Sequence, residues 1–154
     1  MERLDTAYIE TPLGILRIVG NESGVAYIDF IKEEETVKKE IPESLEDAAN
    51  QMKEYFEGKR KSFTMTSIAK GTKFQEQVWN ELIKIKYGET ASYADIARNI
   101  GNPKAVRAVA NANARNPLSI IVPCHRIIGS NGKLTGYAGG LWRKEWLLNL
   151  EKQR

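Results

Sequence analysis

The order of its hydrophobic patterns constrains this chain most. Residues 6–31 hold three short runs rich in Ile, Val and Tyr: Ala7–Glu10, Gly14–Val19 and Val25–Ile31. They are split by Pro12-Leu13-Gly14 and by Asn21-Glu22-Ser23-Gly24, the second a hairpin-type turn, and they read as β-strands. Beyond about residue 70 the spacing becomes helical. Between the two, Glu33–Glu40 is a charged connector, and Ser44 with Asp47 three residues on reads as a capping box. The helix it opens carries Leu45, Ala48, Ala49, Met52, Tyr55 and Phe56 on one face and stops at Gly58. Lys59-Arg60-Lys61 then reads as a solvated turn, and Ser62–Met65 as a short strand that rejoins the sheet.

A boundary falls near Ala69–Gly71. Thr72 and Gln75 form a second capping box, opening a helix that buries Phe74, Val78, Trp79, Leu82 and Ile85 and ends near Gly88. Ser92 and Asp95 open the next, with Tyr93, Ile96, Ala97 and Ile100. Gly101-Asn102-Pro103 supplies a left-handed stop, an N-cap and a first helical residue, so a further helix spans 103–114. A last helix runs from Leu141 to about Gln153. The fold class is α+β. A small N-terminal antiparallel-sheet domain, 1–68, has no metal site. A mainly helical C-terminal domain, 69–154, carries a helix-turn-helix.

Composition excludes several classes. The chain has one Cys and one His, so neither an internal disulfide nor a Cys/His zinc site can form within it. No apolar run approaches the roughly 20 residues that span a bilayer. The first ten residues carry both charge signs and do not form a signal peptide. A cytoplasmic location is expected, or a nuclear one in a eukaryote. The net charge of +3 conceals an asymmetry. Residues 1–95 hold 13 basic and 18 acidic residues, whereas 96–154 hold 10 and 2. The basic half suits an anionic partner, although solvated surface charge can also fall this way.

The second helix of the helix-turn-helix is rich in alanine. Val106 and Val109 face the core, and Ala105, Ala108, Ala112 and Asn113 leave an outer face of little bulk. Its long side chains are few: Lys104, Arg107 and Arg115. A major-groove reader needs long polar side chains for base edges. A stripped helix suits a narrow minor groove and backbone contact, with little sequence preference. Alanine also simply favours helix.

The sole cysteine and sole histidine are adjacent, in Pro123-Cys124-His125-Arg126. Leu118–Val122 before them reads as a buried extended segment, held by Pro123. A lone cysteine is most often a small buried hydrophobe. Here the neighbours suit a nucleophile: His125 can take the thiol proton, and Arg126 adds positive potential. Adjacent side chains point apart in a strand, so a turn or a water relay is implied. The base needs an orienting partner. The only acids after Asp95 are Glu145 and Glu151, both on the last helix. A non-catalytic DNA-binding module would leave the Cys–His pair idle, and a Cys–His–Glu hydrolase would leave the alanine-rich helix without a role.

From Thr72 to Glu151 the sequence resembles the O6-alkylguanine-DNA alkyltransferases. The shared features are Pro-Cys-His-Arg-Ile at 123–127, Gly-Asn-Pro at 101–103, Asn116-Pro117, Tyr137 with Gly139-Gly140, and Lys144-Glu145-Trp146-Leu147-Leu148. Residues 1–66 resemble the family's N-terminal domain more loosely. The resemblance implies that Cys124 accepts an alkyl group from O6-alkylguanine, once per molecule and without a cofactor, with activity on O4-alkylthymine left open. His125 would deprotonate Cys124 through water, Glu151 would orient His125, and Asn116 would brace the turn. Tyr93 would donate to the leaving guanine. Arg107 would enter the stack where the base flips out, with Ser92, Ala105, Ala108, Ala112, Asn113 and Arg115 on the DNA. Tyr137, Ala138, Gly139, Ile127 and Arg126 would line the base pocket. Ala138 stands where the family often has serine, which bears on the alkyl groups accepted. The implied partner is double-stranded DNA bearing alkylated bases, bound by a monomer or cooperatively.

Overall fold

The computed structural model describes residues 3–31 and 37–152. The chain divides into two compact units, Met1–Ala69 and Lys70–Arg154.

In the first unit, β1 (Asp5–Thr11), β2 (Gly14–Asn21) and β3 (Gly24–Phe30) form an antiparallel sheet in that order. Register sets Ala7 opposite Ile18, Ile9 opposite Leu16 and Ile18 opposite Ile28, all buried. The period of two thus puts one apolar face inward. α1 (Glu46–Phe56) covers it with Ala48, Ala49, Met52, Tyr55 and Phe56. Gly58 takes a left-handed φ of 76° after the helix, as expected.

Two expectations fail here. Ser44 does not cap α1: it lies in a 3-10 turn, Glu43–Leu45, and its hydroxyl donates to Asp5 Oδ2 at 2.6 Å. Asp47 instead accepts from Gln51 Nε2. Nor do Ser62–Met65 form a strand. The Thr64 N–H donates to the buried Gln51 side chain at 3.0 Å, and the chain meets β3 only through a single parallel bridge, Val25 with Ser67. The charged connector Glu33–Glu40 lies partly outside the described residues, as does Gln153 at the end of the last helix.

In the second unit, α2 (Lys73–Ile83) and α3 (Tyr93–Asn99) both start at complete capping boxes, Thr72/Gln75 and Ser92/Asp95. α2 buries Val78, Trp79 and Leu82, while Phe74 is half-buried. It ends at Ile83, earlier than Gly88, and Ile85 is buried in the turns that follow. Gly101, with φ 82°, ends α3 in a Schellman arrangement, Gly101 N–H to Arg98 and Asn102 N–H to Ala97. Asn102 therefore completes the α3 terminus rather than capping the next helix. Its carbonyl accepts from Ala105, so Pro103 occupies a turn. α4 begins only at Val106 and runs to Ala114.

α4 also sits rotated from expectation. Ala112 and Asn113 are buried with Val109, and the Trp79 indole donates to the Ala112 carbonyl at 2.9 Å. Val106 is outward, at 37% exposure. α5 (Leu141–Lys152) buries Lys144, Leu147, Leu148 and Glu151. A two-residue parallel pair, β4 (Ala91–Ser92) with β5 (Ile127–Ile128), ties the start of α3 to the residues after Cys124. Among the described residues no helix is long and apolar enough to cross a membrane.

Candidate active site

Asn116 builds the turn that presents Cys124. Its Nδ2 donates to the Val122 carbonyl at 2.8 Å, and its Oδ1 accepts from Leu118 N–H at 3.0 Å. One side chain thereby holds both ends of residues 118–122. The segment is not extended. Val122 N–H returns to the Leu118 carbonyl, and Ile120 takes φ 78°. For a β-branched residue that conformation costs about 1–3 kcal/mol, so the surrounding bonds must hold it in place. Cys124–Arg126 then form a 3-10 turn.

All three residues of that turn are buried. His125 Nε2 lies 2.7 Å from Glu151 Oε2. Burial pushes the Glu151 carboxyl up, but the His125 and Arg126 hydrogen bonds outweigh it and hold the group at about 2. Burial pushes His125 down, Glu151 pulls it back up, and Arg126 and Lys144 oppose protonation. A neutral imidazole facing an ionised carboxylate must donate from Nε2. That leaves the lone pair on Nδ1, and no described protein group donates to it. Of the two acids, Glu151 is the one that meets His125, while Glu145 is exposed.

Arg126 is buried, with its guanidinium directed inward. Its Nε and Nη2 bind Glu151 at 2.7 and 3.0 Å, and its Nη1 donates to the Ile85 carbonyl at 2.7 Å. Its charge is paired with Glu151. Burial raises the Cys124 thiol, while an Asn116 hydrogen bond and the Lys144 charge lower it.

The Tyr93 hydroxyl lies 3.0 Å from Thr135 Oγ1. The Tyr137 hydroxyl is buried without a well-formed protein hydrogen bond. Burial raises the Tyr137 phenol strongly, and Cys124 adds to the rise. Gly139 lies against the Tyr137 ring, where a Cβ would come within 2.9 Å of it. Ala138 is exposed, and Ile127 is fully buried in β5. On α4 the exposed positions include Arg107 and Ala108, followed by Arg115, with Lys104 exposed before the helix and Ala105 half-buried. Ala112 and Asn113 point inward and leave that face. Ser92 is half-buried, its hydroxyl accepting from Asp95 N–H.

Lys144 and Thr135 are site residues that residue-level reading missed. Lys144 had a signal: it falls at i of the i, i+3, i+4, i+7 stripe completed by Leu147, Leu148 and Glu151. Thr135 had none.

A helix-turn-helix in one unit with a single buried cysteine and a histidine–glutamate pair defines a class, the proteins that set a cysteine nucleophile beside a DNA-binding motif. Residues 73–153 match the 6-O-methylguanine DNA methyltransferase DNA-binding domain, and residues 5–69 match the ribonuclease-like domain of the same proteins. The chain is 51% identical to the methylated-DNA–protein-cysteine methyltransferase of Methanosarcina acetivorans, over 94% of this chain and 96% of that one. It is 50% identical to the constitutive enzyme of Bacillus subtilis, over 93% and 92%. The crystal structure of Mycobacterium tuberculosis O6-methylguanine methyltransferase superposes with a TM-score of 0.89 at 41% identity, covering 99% of this chain and 94% of that one. The same protein in complex with DNA gives 0.87 at 44% identity, covering 96% and 92%. The chain belongs to the 6-O-methylguanine DNA methyltransferase family.

Proposed function

We propose that this chain repairs DNA by transferring an alkyl group, methyl above all, from O6-alkylguanine to Cys124 Sγ. The observation that carries this reading is the open Nδ1 of a buried, neutral His125 whose Nε2 is held by Glu151, one residue from the only thiol. Nδ1 accepts the thiol proton through a water, and the imidazolium is steadied by Glu151.

DNA is bound on the exposed face of α4 in the minor groove, with phosphate contacts that carry little sequence preference. The target atom lies inside a duplex, so the damaged base flips out, and Arg107 fills its place in the stack. The thiolate then attacks the alkyl carbon in line. The S–C bond forms as the C–O6 bond breaks, and the electron pair leaves with guanine. Tyr93 donates to the leaving base, and Tyr137 and Gly139 flank it. These donors act on charge that develops only in the transition state. The thioether has no carbonyl for water to attack, so each molecule turns over once and needs no cofactor. O4-alkylthymine presents the same alkyl–oxygen bond and is a second substrate to test. The protein acts as a monomer.

Cys124→Ala separates this reading from a binding module. The variant should bind a duplex carrying one O6-methylguanine like the parent and transfer nothing. Loss of the lesion by Cys124→Ala at the parental rate would overturn the assignment of the acceptor.

A further inference from the structure

The buried stripe of α5 carries a charge at each end. Glu151 is answered by His125 and Arg126. Among the described residues no acid answers Lys144. It is 0% exposed, and its Nζ donates to the Thr135 carbonyl at 2.6 Å. Among the described residues no carboxylate pairs with it. A lysine is almost never fully buried without a partner, because a neutral carbonyl does not repay the hydration lost by an ammonium.

The groups around it narrow the choice of partner. α5 packs on the 3-10 turn that bears Cys124. On that turn His125 and Arg126 already share Glu151. Tyr137 is a phenol held neutral by burial. Arg143, next along α5, donates to the Gly139 carbonyl and stacks on Trp142. The loop residue Thr135 offers Lys144 its carbonyl and Tyr93 its hydroxyl. Among the described groups around it, the one left that can carry negative charge is Cys124, itself buried on the turn against which α5 packs. We propose that Lys144 is the counter-ion of the Cys124 thiolate, a positioning residue that keeps the buried nucleophile charged.

The chemistry follows from the pairing. Burial drives the Lys144 ammonium down, and even with the charge of Cys124 pulling it up it lies at about 8. Each ion thus makes the other tolerable. When Sγ takes the alkyl group, the C–O6 electron pair leaves with guanine and the sulfur becomes a neutral thioether. Lys144 is then a buried cation without its anion. The alkylated protein is therefore the less stable one, because a buried cation has lost its anion and the added alkyl volume strains a packed site.

This inference rests on Cys124 being the acceptor, yet its test needs no DNA. Thiolate absorbance near 240 nm and the rate of carboxamidomethylation by iodoacetamide are followed from about pH 4 to about pH 10. The chains compared are the parent, Lys144→Met and Lys144→Arg, with Cys124→Ser as the blank. Lys144→Met should raise the midpoint by about one unit or more and slow the reaction at neutral pH about tenfold. Lys144→Arg should stay close to the parent. Lys144→Gln carries the same prediction as Lys144→Met and serves should that variant not fold. Superimposable profiles for parent and Lys144→Met, or equal shifts for Met and Arg, would overturn the proposal. Failure to transfer from DNA while the thiol profiles still differ would instead count against the assigned function alone.

Discussion

His125 and Glu151 work as one unit, and their acid behaviour is a direct consequence. Glu151 lies near 2 in the fold against an ordinary 4.5, so it binds fewer protons folded than unfolded between those values. Its contribution to stability is complete above about pH 4.5 and is lost as the pH falls toward 2. His125, pushed down by burial, adds a loss of the same sign just below its ordinary value. A chemical-denaturation series against pH should therefore fall steeply on the acid side, and Glu151→Gln should flatten the lower part of that fall. His125→Ala should slow single-turnover transfer by roughly a hundredfold, the usual contribution of a positioned base. Asn116→Ala strips two backbone partners from a strained turn, which costs about 1–3 kcal/mol in thermal melts. An unchanged melting curve for that variant would contradict the bracing role.

The elements show what a sequence discloses about itself and what it conceals. The three strands, both capping boxes of the second unit and the Gly58 and Gly101 stops were legible because each depends on residues within a few positions of one another. The start of α4 was not. Gly-Asn-Pro suits a helix start, but the Asn102 N–H is used to finish α3, which only the real end of α3 decides. Leu118–Val122 reads as an extended segment because nothing in it marks a turn; the turn comes from the Asn116 side chain reaching six residues onward. Likewise Arg126 reads as a free cation until Glu151, 25 residues away, is brought to it. At this scale the face of α4 is testable. Ala108 is exposed, so Ala108→Leu should leave stability within about 0.5 kcal/mol while weakening duplex binding. Gly101→Ala meets no atom within 4 Å but keeps a φ of 82°. It should cost about 1 kcal/mol of stability from backbone strain alone.

For the whole molecule, charge is the property that separates its halves. In the proposed function the basic residues after 95 meet DNA phosphates as a sequence-independent term, so affinity should fall linearly in a plot of log K against log salt. Removing Lys104, Arg107 or Arg115 should each reduce that slope by about one and weaken specific and non-specific duplexes together. A slope insensitive to all three would place the interface elsewhere. Each unit's fold could be anticipated from its own pattern, whereas the electrostatics of the site came from residues scattered from Asn116 to Glu151 and needed the fold to assemble them.

The central claim is that Cys124 takes the alkyl group and keeps it. The decisive measurement mixes the protein with a duplex bearing one O6-methylguanine and weighs the tryptic peptide Asn116–Arg126. One methyl on Cys124, saturating at one per protein as the lesion disappears from the DNA, is the predicted result. An unmodified peptide from protein that has bound the duplex with its lesion intact would contradict it.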